Sequence, residues 1–547
     1  MSLRNQPPPD LSRVSFLIIE DFEGMRAILR DILGRARASR STLAASAGNA
    51  IAMLERQRYD VILCDLHLGH GKSGQDILEE ARHRALLAPH TVWLMVSSEK
   101  AAEMVTGTVE SRPDDYLIKP ITETLLFSRL SRQMARKRAL APIETAMRGH
   151  EYLKALRLAD QQLESDKPHA WDLKRLKAEL AMHSGEHGLA RGIYQEALDL
   201  RDLPWARLGL AKIHYNEGRF EDARQELEEI TGGNRAYLEA HDWLARTLDR
   251  LGDRDGAQDV LQRALATSPR APLRQLHLGE VAYRRGEFGT ASRAFQNSIE
   301  LARNTPLKSP RAYLALSQLQ LEQNQADAAL KTLSTLTTDM ADDAAAQLLA
   351  RAMQIPVRLK TGERSIAEQL AAQLAEELKA EAGNLPPEAV FNLAAPLLEL
   401  GEKHTVATLL ASLIGNNHEH PEYLERAEAI YSRAGLADEG RELLLRAARA
   451  ATDIMNRGVR LAREGKLDEA IALTREARTQ MPNNARLLLN HAFLLIAWME
   501  RHGRQPSINQ EARNCIQQAR NLKPEDKRAG ELLTRLELLG NDFEAPA

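Results

Sequence analysis

The sequence predicts two folds in series: an α/β domain on a parallel sheet over about the first 140 residues, then an all-α array of paired helices. Three observations carry that division. Short apolar runs near the N-terminus alternate with segments of helical spacing. Farther on, Gly185, Gly218, Gly252 and Gly286 recur at intervals of 33, 34 and 34 residues, each five residues ahead of an alanine. The 547-residue composition also favours helix, with only 4% aromatic residues and abundant Ala, Leu, Glu, Gln and Arg.

The first elements follow in order. Residues 1–12 form a proline-rich leader without the apolar segment of a signal peptide. "VSFLII" (Val14–Ile19) is a buried strand that runs into Glu20 and Asp21, and Met25, Ile28, Leu29, Ile32 and Leu33 then keep helical spacing. A weaker strand "STLAAS" precedes the helix "NAIAMLERQ". "DVILCD" is the next buried run, ending on Asp65, and after a glycine-rich loop comes the helix "QDILEEARHRA". "TVWLMVSS" (Thr91–Ser98) is a fourth strand, followed by a poorer helix near Ala101–Glu110. "DYLIKP" and the amphipathic "ITETLLFSRLSRQMARKRAL" close the domain. Apolar runs alternating with helices indicate βαβ units and a parallel sheet covered on both faces.

Such a sheet binds ligands beyond the carboxyl ends of its strands. Glu20, Asp21, Asp65, Ser97 and Lys119 all stand at those ends, so three carboxylates, a hydroxyl and an ammonium are expected on one edge. Hard carboxylate oxygens suit Mg²⁺, and an aspartate beside that metal can act as a nucleophile toward phosphorus. A lysine and a hydroxyl can then hold the new phosphoryl oxygens.

Carried on those residues, the segment from Val14 to Arg138 resembles the receiver domain of two-component response regulators, a flavodoxin-like, CheY-like fold. The resemblance covers roughly a quarter of the chain and implies a five-stranded parallel sheet of order 2-1-3-4-5. It implies that Asp65 is the phosphoacceptor, and that Mg²⁺ is held by Glu20, Asp21, Asp65 and the backbone carbonyl of His67. Ser97 is the implied switch hydroxyl, Lys119 the signature lysine, and Tyr116 the aromatic that turns inward. The peptide bond before Pro120 is implied to be cis, and His67 and Glu99 to tune dephosphorylation. Two departures stand out: Gly69 replaces the usual loop proline, and "ESRPDD" replaces a small residue and glycine before the fifth strand. Cys64, in an apolar run, reads as core packing.

The domain boundaries read as a receiver over 13–138, a short linker over 139–145 and an array over 146–540. In the array the glycine ends one helix and Ala190, Ala223, Ala257 or Ala291 lets the next approach it, with Leu261 or Phe295 filling the space a turn later. This unit resembles the tetratricopeptide repeat, which implies a superhelical solenoid of nine or ten pairs and a capping helix, "EDKRAGELLTRLELLG". Ile454–Pro482 is the best single match, whereas between about 300 and 440 the spacing stretches. Basic "RLSRQMARKR" (Arg129–Arg138) reads as a solvated helix face.

A net charge of −3 gives no bias toward nucleic acid, and no run approaches the ~18 apolar residues of a membrane span. Two distant cysteines, Cys64 and Cys515, fit a reducing, cytoplasmic setting. The expected function is a signalling adaptor, not an enzyme beyond its own phosphoacceptor and autodephosphorylation chemistry. A sensor histidine kinase or phosphotransfer protein would phosphorylate Asp65, and the array would bind a protein or peptide, with a homodimer left open. Two alternatives are a transcription regulator whose array binds DNA or polymerase, and a constitutive scaffold with a vestigial receiver. An aspartate-nucleophile phosphatase is not expected, because His67 stands where that class wants a second aspartate.

Overall fold

A computed structural model describes residues 11–69, 72–97, 113–148, 152–184, 186–233, 237–303, 305, 307–418, 420–523 and 526–541. Two compact units divide it: Met1–Met182 with His187–Ser309, and His183–Glu186 with Pro310–Ala547.

The first unit opens with five strands, β1 Ser15–Ile19, β2 Arg40–Ala44, β3 Val61–Asp65, β4 Val92–Ser97 and β5 Asp115–Ile118, all parallel in the order β2-β1-β3-β4-β5. Helices α1 Glu23–Arg35, α2 Ala47–Arg56, α3 Gly74–His83 and α4 Glu123–Arg148 belong to the same domain. The central strands are buried throughout because both sheet faces are covered. One core gathers Phe16, Ile18, Leu63, Leu94 and Leu117 with Leu29 and Leu33 of α1 and Leu126 and Leu130 of α4. The opposite core gathers Leu17, Ile62 and Trp93 with Leu54 of α2 and Ile77 of α3. The helix expected near residues 101–110 lies outside the described residues.

The expected linker over 139–145 is helix instead, since α4 runs unbroken through Pro142. Proline removes one backbone donor and costs about 3 kcal/mol inside a helix. Leu140 and Ile143 are both buried in α4, and burying such side chains returns about 1.5–3 kcal/mol each. The proline signal was real, and packing outweighed it.

Nine helices complete the first unit: α5 Tyr152–Ser165, α6 Ala170–Ser184, α7 His187–Leu200, α8 Pro204–Asn216, α9 Phe220–Gly233, α10 Leu238–Leu251, α11 Arg254–Thr267, α12 Pro272–Arg284 and α13 Phe288–Ala302. The 34-residue unit behaves as the spacing predicts. Gly252 ends α10 at φ +83°, and the N–H of Asp253 reaches back to the carbonyl of Leu248 at 2.9 Å. Ala190, Ala223, Ala257 and Ala291 are fully buried. The ring of Phe295 lies where a Cβ on Gly279 would sit, 2.4 Å from that position, so the fit of α13 against α12 needs both residues.

The second unit contains α14 Pro310–Glu322, α15 Ala326–Asp339, α16 Ala344–Ala352, α17 Gln354–Lys360, α18 Arg364–Ala380, α19 Pro387–Glu399, α20 Lys403–Asn416, α21 Pro421–Arg433, α22 Ala437–Arg463, α23 Leu467–Gln480, α24 Ala485–His502, α25 Pro506–Leu522 and α26 Lys527–Asn541. Its stretched spacing conceals a kept motif. Asn324, Gly362, Gly401, Gly435 and Gly465 all have left-handed φ, and five residues after each stands Ala329, Ala367, Val406, Gly440 or Ala470, all buried. Asparagine tolerates that conformation, so a glycine search passes over Asn324. The repeat expected from Ile454 does not begin with a new helix, because α22 carries straight on from Ala437.

Candidate functional site: an acidic pocket at the carboxyl edge of the sheet

Sheet register assembles the site. Ile19 pairs with Cys64, which puts Glu20 beside Asp65 at the next step. Asp65 pairs with Val96 and Ser97 with Ile118, so Ser97 and Lys119 each stand one step beyond their neighbour's partner. The Lys119 N–H donates to the Ser97 carbonyl at 2.8 Å, which ties the ends of β4 and β5 together.

Lys119 is the hub. Its Nζ donates to Asp65 Oδ2 at 2.6 Å and to Glu20 Oε2 at 2.9 Å. The other Asp65 oxygen accepts the backbone N–H of His67 at 3.2 Å. Burial works against the Lys119 ammonium, but its hydrogen bonds to Asp65 and Glu20 outweigh that and hold its pKa above the ordinary value. Glu20 shifts upward, chiefly through burial; Lys119 opposes the shift and the Asp65 charge adds to it. Asp21 is exposed, and one oxygen from each of Glu20, Asp21 and Asp65 fits within 4.8 Å of the others. Three hard oxygen donors converging so closely, with one face open, fit a divalent cation of the Mg²⁺ type.

Ser97 is buried at the end of β4, and Tyr116 packs half-buried against the core that holds Trp93. The Lys119–Pro120 bond is cis. Glu99 lies outside the described residues. Cys64 is buried, and desolvation pushes its thiol well above the ordinary pKa, as a packing role requires.

Several supporting residues escaped the sequence reading. Arg26 donates to the carbonyls of Glu20 at 2.6 Å and Asp21 at 2.8 Å, pinning the acidic turn. A Cβ on Gly74 would sit 2.1 Å from the Asp65 carbonyl oxygen, so the chain after Asp65 folds back too close for any side chain there. Gly69 has φ +63°, a conformation closed to proline. The basic stretch of α4 is not merely solvated. Arg129, Arg132 and Gln133 converge on Asp115, and Lys137 pairs with Asp114. Burial opposes ionisation of Asp115, yet these bonds hold its carboxyl below the usual range. The two aspartates of "ESRPDD" are therefore a clamp between β5 and α4. No spacing of residue types marks this clamp in the sequence.

Comparison with known proteins agrees with this geometry. The response regulator receiver domain family matches residues 16–131, and tetratricopeptide repeat families match 143–203, 181–246, 243–304 and 278–345. The chain carries a response regulator receiver domain followed by tetratricopeptide repeats. Its receiver is 26% identical over 119 residues to chemotaxis protein CheY-3 of Vibrio cholerae, covering 22% of this chain and 90% of that protein. Chemotaxis protein CheY of Pseudomonas aeruginosa is 25% identical over 119 residues, with 94% of its length covered. Among solved structures, one of Vibrio cholerae CheY4 is 22% identical and covers 22% of this chain and 97% of that one, at a TM-score of 0.20. One of Pseudomonas aeruginosa pilF is 19% identical, covering 39% of this chain and 95% of that one, at a TM-score of 0.32.

Proposed function

We propose that the protein is a phosphorylation-controlled adaptor in which a histidine kinase or phosphotransfer protein delivers phosphate to Asp65 and the array engages a protein partner accordingly. The observation that carries this reading is the convergence of Asp65, the Lys119 ammonium and the Glu20–Asp21 pair. Glu20, Asp21 and Asp65 would hold Mg²⁺, with the His67 carbonyl as the remaining expected ligand. The bound cation would neutralise charge developing on the phosphoryl oxygens.

The chain's own residues do the rest. A carboxylate oxygen of Asp65 attacks the donor's phosphorus as the donor's bond to phosphorus breaks and its histidine nitrogen leaves, while the His67 N–H restrains the other oxygen. Once Asp65 is an acyl phosphate its charge toward Lys119 falls, and the ammonium is free to follow the phosphoryl oxygens. Ser97, one step along β4, supplies a hydroxyl at the same carboxyl edge, and Tyr116 moves with it. β5 is clamped to α4 through Asp114 and Asp115, and α4 continues into the array, packing on α5. That continuity supports a mechanical route from switch to array. Beside the acidic pair, Phe22 is 68% exposed and Ile28 51%, an apolar face suited to a docking phosphodonor. No described helix is long and apolar enough to cross a membrane, and the buried, unpaired cysteines support a cytoplasmic setting. On this reading the only chemistry is that of the acyl phosphate itself.

Incubation with radiolabelled acetyl phosphate and Mg²⁺ tests the proposal. Label that is hydroxylamine-labile and absent from Asp65→Asn is expected. Undiminished labelling of that variant, or none of the native protein, would overturn it.

A further inference from the structure

This inference rests on the array being the partner-binding arm, and it concerns what that arm binds. In the second unit a groove of about 570 Å³ opens between α22, α24 and α26. Asn490, Phe493, Ala497 and Arg501 of α24 fall at helical spacing on one side of it, and Val459 and Arg463 of α22 face them. Phe493 and Val459 are large apolar residues that stay 43% and 44% exposed. Isolated exposed apolar side chains need no explanation, but these two share one groove.

The charge around them is one-sided. Glu500 lines the groove yet is held by Arg535 in a two-point ion pair at 2.6 and 2.5 Å. Arg535 also lies over the Phe493 ring at 5.1 Å. Arg463 and Arg501 make no ion pair among the described residues, whereas Arg475 and Arg478 pair with Glu511. The floor is fixed: Thr474 bonds to His491 at 2.7 Å, and His491 to Glu511 at 3.0 Å. The groove therefore combines a rigid floor, an aromatic wall and two guanidinium groups that lack a carboxylate.

We propose that this groove docks an acidic peptide segment of a partner protein, with a bulky apolar side chain against Phe493 and Val459 and flanking carboxylates on Arg463 and Arg501. Guanidinium groups bind carboxylates in a fork geometry, so the pairing gives direction as well as attraction. Basic and neutral segments would leave both arginines without partners.

Two labelled nonapeptides titrated with the full chain test this: one with a central leucine flanked by glutamates, the other with lysines in their place. The acidic peptide is expected to bind at least about tenfold more tightly, and to weaken as salt rises from about 0.05 to 0.5 M. Arg463→Glu with Arg501→Glu should remove that preference, and the milder Arg463→Gln should weaken it with circular dichroism unchanged. Equal affinity for the two peptides, no binding of the acidic one, or full binding to the charge-reversed variant would overturn the proposal. Repeating the titration with beryllofluoride keeps the two readings apart. Acidic-peptide binding that ignores the receiver's state leaves the groove standing and removes the coupling.

Discussion

The receiver and the array solve different problems with the same helix-forming composition. In the receiver, contacts that matter join distant positions: Lys119 reaches back 99 residues to Glu20 and 54 to Asp65. In the regular repeats they stay close, as with Phe295 against Gly279 or Ala257 between adjacent helices. A domain tied by remote contacts loses its site as a whole when one contact fails. A stack of near-neighbour units loses one interface at a time.

Substitutions sharpen or break that contrast. The largest effect is expected from Gly74→Ala, whose new Cβ would strike the Asp65 backbone and Cys64 Sγ. A loss of about 3 kcal/mol or more, with phosphoryl labelling abolished, should appear in thermal melts and the acetyl phosphate assay. Phe295→Ala should cost about 3–5 kcal/mol. Hydrogen exchange should then show loosening around α12 and α13 while the receiver still accepts phosphate; loss of both would break the contrast.

A smaller effect concerns pH. Burial lowers the His491 pKa from 6.5 to about 4, so the native state refuses a proton that the unfolded chain binds. Stability should fall as pH drops from about 6.5 to 4, by about 3 kcal/mol in all. Glu511, lowered to about 2 mainly by its hydrogen bond from Arg475, should lose its stabilisation only as pH falls from about 4.5 toward 2. His491→Gln is expected to flatten the first slope in acid titrations of the melting temperature and leave the second. Equal slopes in both proteins would remove His491 from the account. The smallest effect is Gly218→Ala, where φ is +76° but no atom lies within 4 Å of the new Cβ, for a cost of about 1 kcal/mol in denaturant unfolding.

The strand ends and the acidic pocket were legible because side-chain type is tightly constrained there: a buried run such as "VILCD" ends in a carboxylate only at a site or a turn, and the sheet order came with the family resemblance those residues carry. The regular repeats were legible from glycine spacing. What stayed hidden depends on three-dimensional balance. Pro142 reads as a break until the burial of Leu140 and Ile143 is weighed against it. Asn324 substitutes for glycine in a left-handed cap, so a residue-type search loses the phase and the stretch after it reads as irregular. Arg26 and the Asp114–Asp115 clamp act through backbone and edge contacts that no spacing rule marks. An arginine in a helix is, by sequence, an ordinary surface residue.

The account turns on phosphorylation of Asp65 being felt in the helices beyond it. Hydrogen–deuterium exchange of the full chain, with and without beryllofluoride and Mg²⁺, measures that directly. The account predicts altered uptake in α4 and in array helices beyond Tyr152, abolished in Asp65→Asn. Uptake that changes only at the sheet's carboxyl edge, with every array helix unmoved, would contradict it.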